Sequence, residues 1–207
     1  MRFFLVLVLA LIAGCSEPNT EKTIVIFGSS VARGVGATND HGWADMLGEK
    51  LEARGYTYHN ISIPGDTTLA LIDRFQSDLE PLNPEIVVIG LSLANEGLAK
   101  AEEKSAIAAQ FVQRMKFLVE KCKERGYTPI IAGVYSHNAY TKEDLDYLIS
   151  VEQSLSTMGV PYISFLAAVD DGTGRWKPGL FADAGHPNDA GHRAMFEAVP
   201  MAIFDSP

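Results

Sequence analysis

From residue 23 onward the chain alternates between short apolar runs and longer stretches in which apolar residues recur every three or four positions. Five runs rich in β-branched or apolar residues stand out: Thr23 to Phe27, Tyr56 to Ile63, Glu85 to Leu91, Thr128 to Tyr135 and Val160 to Phe165. Each reads as a strand. Between the first two, Trp43, Met46, Leu47 and Leu51 fall at helical spacing, which predicts a helix from about Trp43 to Arg54 stopped by Gly55. The longest helical pattern runs from about Ala99 to Arg125 and ends at Gly126. Another spans Thr141 to Met158, carries Leu145, Leu148, Ile149 and Leu155, and stops at Gly159. Strands joined by crossover helices run parallel, and right-handed crossovers place helices on both faces. The expectation is a three-layer α/β/α sandwich around a five-stranded parallel sheet, with functional loops at the carboxyl ends of the strands.

The first residues break this rhythm. Arg2 precedes an uninterrupted apolar stretch from Phe3 to Ala13, too short for a spanning helix of about 20 residues and the right length for the core of an export signal. It closes on Ile12-Ala13-Gly14-Cys15, which resembles the bacterial lipobox, where the cysteine thiol accepts a diacylglyceryl group. A plain signal peptide with an incidental cysteine is the simpler alternative. The resemblance implies that residues 1–14 are removed, that Cys15 is the lipidated mature N-terminus, and that residues 15–22 tether a domain spanning 23–207. It further implies an exported lipoprotein anchored in the cell envelope, in the outer membrane if the organism has one. Without the lipid, the product would be periplasmic or secreted.

Composition narrows the function classes. The chain has 207 residues, 47% hydrophobic and 21% charged, an ordinary globular balance for one domain. A net charge of −9 supplies no basic field for a phosphate backbone, so nucleic acid is not expected as a partner. Of the two cysteines, Cys122 shares a helical stripe with Phe111, Met115 and Leu118 and reads as a buried structural thiol.

The strand ends carry the chemistry. The first runs into Gly28-Ser29-Ser30-Val31-Ala32-Arg33-Gly34, a turn with two adjacent hydroxyls. The second ends in Ser62-Ile63-Pro64-Gly65-Asp66 and the third in Ser92-Leu93-Ala94-Asn95-Glu96-Gly97, and after the fifth comes Asp183-Ala184-Gly185-His186-Pro187-Asn188. A serine attacks only when a base takes its proton, and a histidine does so best when a carboxylate holds its tautomer. Asp183 and His186, three apart across a glycine-containing turn, have that relation, and Pro187 and Asn188 then start the last helix. The backbone N–H groups of Ser30 and Gly65 and the side-chain amide of Asn95 are candidate donors to an oxyanion.

These blocks, in this order, resemble the SGNH hydrolases, also called GDSL esterases. The resemblance covers nearly all of the chain after the signal and implies a flavodoxin-like α/β fold and serine ester hydrolysis without metal or organic cofactor. Carried over by position, Ser30 is the nucleophile, His186 the base and Asp183 its orienting partner; from the residues alone, Ser29 stays open as the attacking hydroxyl. Three positions depart from the family pattern. Ser29 stands where the family has Asp, Leu93 where it has Gly, and Glu96 where it has a second Asp.

Other chemistries fit less well. The glycine-rich turn lacks Gly-Lys-Ser/Thr and a third glycine at dinucleotide spacing, so both nucleotide fingerprints fail. Gly28-Ser29-Ser30-Val31-Ala32 nearly matches the α/β-hydrolase elbow, but it follows the first strand and its acid lies directly before the histidine. Asp183, His186, Asp189 and His192 recur every three residues, yet a helix beginning after Pro187 turns the later two away from a shared metal. The expected substrate is a small-molecule or glycan ester, with O-deacetylation of a carbohydrate favoured. Lysophospholipase, thioesterase or arylesterase activity is the alternative, as is a glycan-binding lipoprotein that has lost turnover. Trp43 and Trp176 lie in or near loops, and Trp176 either stacks a sugar ring or covers the end of the core.

Overall fold

The computed structural model describes residues 22–205; Cys15, the expected signal segment and all but the last residue of the expected tether lie outside them. Along β1 (Lys22–Gly28) every side chain from Ile24 to Phe27 is fully buried, and strand alternation sends them into two cores. Ile24 and Ile26 pack with Trp43, Leu47 and Leu51 of α2 (Trp43–Glu52). Val25 and Phe27 pack with Phe111, Met115 and Leu118 of α4 (Lys104–Glu124). An unbroken apolar run is what a strand between two helix layers requires.

The other strands are β2 (Tyr56–Asn60), β3 (Ile86–Gly90), β4 (Thr128–Ala132) and β5 (Tyr162–Ile163). The sheet order is β2-β1-β3-β4-β5 and every pairing is parallel. Side chains of α2 and of α7 (Asp189–Glu197) fill one core, and those of α3 (Thr68–Arg74), α4 and α5 (Lys142–Ser156) fill the other. The expected three-layer sandwich is the one the chain forms. A four-residue α1 (Ser30–Arg33) follows β1, and a short α6 (Leu166–Val169) follows β5. Among the described residues no helix is long and apolar enough to cross a membrane.

Several elements differ from the sequence pattern: β2 and β4 end at Asn60 and Ala132 where the expected runs continue to Ile63 and Tyr135. The long helix starts at Lys104 and not near Ala99: Gly97 sits at φ +86° and Ala101 is extended, so Leu98–Lys100 forms a separate 3-10 turn in the loop leaving β3. The last strand shrinks to two residues, because Pro161 has no N–H to give and Ser164 turns its hydroxyl to Glu152 at 2.6 Å. Between β2 and β3 the pattern named no helix, yet α3 forms there, capped by the Thr67 hydroxyl, and continues as a π turn over Phe75–Leu79.

Candidate active site

In a sheet of order 2-1-3-4-5 the chain leaves β1 and β3 toward opposite faces, and the crevice between their carboxyl ends is where such folds bind ligands. Gly28 lets that crevice close: a Cβ there would lie 2.3 Å from the carbonyl oxygen of Gly90 at the end of β3. Ser29 follows in extended conformation, donating its N–H to the same carbonyl at 3.2 Å, and Ser30 opens α1. The Ser30 hydroxyl lies 3.1 Å from Nε2 of His186, across 156 positions of chain. Ser29 is 1% exposed and makes no bond to His186. Of the two adjacent hydroxyls, Ser30 is therefore the one the imidazole reaches.

The far side of the ring is held as firmly. Nδ1 of His186 lies 2.9 and 3.0 Å from the two carboxylate oxygens of Asp183. Oδ1 of Asp183 also accepts the N–H groups of Gly185 at 2.8 Å and His186 at 2.9 Å, so the turn wraps its own carboxylate. Partial burial pushes this carboxyl up, but the bonds from His186 and the two N–H groups outweigh it and hold it below the ordinary carboxylate range. The turn ends where the Asn188 side chain accepts the N–H of Gly191 and caps α7.

Gly65 and Asn95 come to the ends of the strands flanking the serine. Gly65 sits at φ +90°, a conformation glycine adopts without strain. One N–H of the Asn95 amide donates to the carbonyl of Asp66 at 2.8 Å, leaving the other free to point elsewhere. Two ion-paired struts fix these loops. Arg74 binds Asp66 at 2.7 Å, reaches the Gly28 carbonyl at 3.4 Å and lies 4.3 Å over the Phe27 ring. Glu96 accepts the N–H and hydroxyl of Thr68 at 2.6 and 2.8 Å and pairs with Arg114 at 3.3 Å. The Glu at this departure position thus clamps the β3 loop to the start of α3. Leu93, the second departure, is fully buried in the core and lies outside the positive-φ region.

Several sequence candidates sit elsewhere. Asp189 accepts the N–H and hydroxyl of Thr38, while His192 is buried between the Trp43 N–H and the Val35 carbonyl, so neither joins Asp183 and His186. Trp43 is 1% and Trp176 2% exposed, so neither offers a face to a sugar. Trp176 instead stacks on Tyr135 at 5.8 Å and donates its indole N–H to the carbonyl of Ala184, bracing the Asp183–His186 turn. Cys122 is fully buried, and burial pushes its thiol up to about 12. Sequence reasoning missed Arg74, the strut role of Glu96, and His137. No motif surrounds His137; only its place just after the fourth apolar run marked it.

Residues 26–194 match the model of the GDSL-like lipase/acylhydrolase family, most of the chain, and the protein belongs to that family. It is a serine ester hydrolase by class. Solved structures with the same fold include a candidate acylhydrolase from Bacteroides fragilis, at 21% identity, TM-score 0.71, covering 90% of this chain and 88% of the other. TesA is similar at 24% identity and TM-score 0.69, with 86% and 96% covered. A catalytic mutant of an acetylxylan esterase from Geobacillus stearothermophilus is similar at 17% identity and TM-score 0.69, with 88% and 94% covered. At these identities the likeness speaks to fold. No curated protein matches the chain.

Proposed function

We propose that this esterase removes short acyl groups, acetyl above all, from a carbohydrate, with Ser30 as nucleophile, His186 as base and Asp183 as its orienting partner. The continuous chain of bonds from Ser30 through His186 to Asp183 carries the assignment. Nε2 takes the hydroxyl proton as Oγ bonds to the ester carbonyl carbon. The resulting oxyanion lies where the N–H groups of Ser30 and Gly65 and the free N–H of Asn95 can reach it. Collapse breaks the carbon–oxygen bond to the alcohol, and His186 returns its proton to that oxygen. Water repeats the sequence on the acyl-Ser30 ester, giving carboxylic acid and free hydroxyl. Likeness to an acetylxylan esterase and the net negative charge, which disfavours anionic membrane substrates, support the carbohydrate assignment.

One observation favours a second reading toward longer acyl groups. Ile63, Leu69 and Phe181, each 40% or more exposed, stand on the segments carrying Gly65 and Asp183. A 4-nitrophenyl ester series from acetate to octanoate separates the two by where kcat/KM peaks. The nucleophile is tested with Ser30→Ala, expected to lose at least 1000-fold in kcat on 4-nitrophenyl acetate. Undiminished turnover in that variant rejects the assignment. We also propose that Cys15 carries a lipid that anchors the enzyme in the cell envelope.

A further inference from the structure

His192 lies in the first turn of α7, the helix that follows the base His186, and is fully buried. Its Nδ1 accepts the N–H of Trp43 at 3.3 Å, one of the donors that the start of α2 leaves without a partner inside the helix. A neutral imidazole whose Nδ1 accepts carries its proton on Nε2, so the 3.1 Å contact with the Val35 carbonyl is a donated hydrogen bond. Burial pushes this imidazole below its ordinary value, against the Val35 carbonyl, Asp189 and Asp45 and with His186 adding to the lowering, so the ring is neutral at neutral pH. Both nitrogens are committed to backbone groups. Glycine makes room for them: a Cβ on Gly42 would lie 2.9 Å from Nδ1.

The carbonyl that His192 holds belongs to the segment leaving the nucleophile. Val35 donates its own N–H to the Ser30 carbonyl at 3.0 Å. The next residue, Gly36, packs against the base: at φ +96°, a Cβ there would meet the Pro187 carbonyl oxygen and lie 3.1 Å from Cβ of His186. Farther along, Thr38 gives its N–H and hydroxyl to Asp189, a second tie between the same two segments. Ser30 and His186 stand 156 positions apart in the chain, so the 3.1 Å between Oγ and Nε2 depends on how these segments are joined. His192 makes the join closest to Ser30, one residue away from the bond that Val35 gives it.

Resting on the esterase reading above, we propose that His192 is a positioning residue: its Nε2–H, by holding the Val35 carbonyl, sets the separation of the Ser30 hydroxyl and the His186 imidazole. It takes no part in proton transfer. A misplacement of about 1 Å between reacting groups costs on the order of 10²-fold in rate, so a bond this remote from substrate acts on kcat and leaves binding alone.

Two substitutions separate this role from plain core packing, because a glutamine amide reaches the place of Nε2 and an asparagine amide that of Nδ1. His192→Gln keeps a donor for Val35, while His192→Asn keeps only the acceptor for Trp43. On 4-nitrophenyl acetate, His192→Asn is expected to lose about 10–100-fold in kcat with KM within about twofold, and His192→Gln to stay within about threefold of wild type in both. Both variants are expected to lower the urea midpoint, since each removes part of a packed ring. Equal loss of kcat in the two variants, a loss confined to KM, or undiminished kcat in His192→Asn overturns the proposal and leaves the esterase reading standing. A measurement on the wild type needs no variant to fold: nitrogen-15 NMR of the imidazole is expected to show Nε2 protonated and Nδ1 bare, and the opposite tautomer overturns the proposal equally. A wild type inert on 4-nitrophenyl acetate overturns the esterase reading, and this proposal with it.

Discussion

One N–H of the Asn95 amide is held by Asp66, and the other is offered to the proposed oxyanion. The N–H bonded to Asp66 at 2.8 Å decides which way the amide faces, and a flipped amide would set oxygen against oxygen there. The remaining N–H is then aimed by a bond that forms whether or not substrate is present. Donors arranged in advance around a developing oxyanion are worth far more than donors that must reorganise, and losing one costs about 3–4 kcal/mol. Asn95→Ala is accordingly expected to lower kcat on 4-nitrophenyl acetate by about 10²–10³ with KM little changed; a drop below about threefold would remove Asn95 from the oxyanion site. At this scale the proposed triad and oxyanion donors could be named from the sequence, because Ser30, Gly65 and Asn95 each follow an apolar run and Asp183 and His186 share one short glycine-containing turn ahead of the last helix. The choice of Ser30 over Ser29 came from the family resemblance and was not legible in the residues alone. It depends on the turn from extended Ser29 into α1, which buries one hydroxyl and presents the other to His186. Arg74 reaches the Gly28 carbonyl, and His137 packs against Gly185 while its neighbour Asn138 donates to the Ala184 carbonyl, contacts between segments distant in sequence that no local spacing encodes.

Elements show the same division. The helix over Lys142–Ser156 was legible to within two residues because its signals are local: Thr141 caps the N–H of Asp144, and Asp144 returns a bond to the Thr141 N–H at 2.8 Å. By contrast, α3 and the π turn that continues it carry Leu71, Phe75 and Leu79 four apart, all fully buried, but the widened turn after Arg74 and Pro81 beyond it interrupt a regular helical period. Asp144 also joins α5 to α4, its carboxylate lying 2.9 Å from the Lys104 ammonium and its side chain 1% exposed. Burial pushes this carboxyl up, but Lys104 and Thr141 outweigh it and leave it below the ordinary carboxylate value. A carboxyl lowered by folding contributes stability in full above its unfolded-state pKa and loses it as pH falls through the folded one. Asp144→Asn is therefore expected to lower the urea midpoint at pH 7 and to converge on wild type as the pH is brought below about 4. A gap between the two midpoints that does not narrow with acidity would show that the carboxylate charge is not what Asp144 contributes.

At the scale of the whole molecule, topology sets the direction in which the site looks. The chain enters the sheet at Lys22, the amino end of β1, and Ser30 lies just past the carboxyl end of that strand. A strand of this length spans about 23 Å, so the site and the point where the tether joins the domain lie at opposite ends of the sheet. Seven residue steps separate a lipidated Cys15 from Lys22 and span at most ~25 Å when fully extended, about the length of β1 itself, so a tether this short holds the amino end of the sheet nearest the anchoring bilayer. On the proposed anchor, then, the crevice faces away from the membrane, toward soluble or polymeric esters. Anchor and catalysis are separable in that arrangement. Cys15→Ala is expected to move the protein from the detergent-rich to the aqueous phase on partitioning of cell envelopes, while kcat/KM on 4-nitrophenyl acetate stays within about twofold, since the Ser30–His186–Asp183 chain of bonds touches no residue before Gly28. The mass of the wild-type N-terminal peptide supplies the second readout, and a peptide beginning at Cys15 without added lipid, or a variant that partitions as wild type does, would refute the anchor and leave the esterase site untouched.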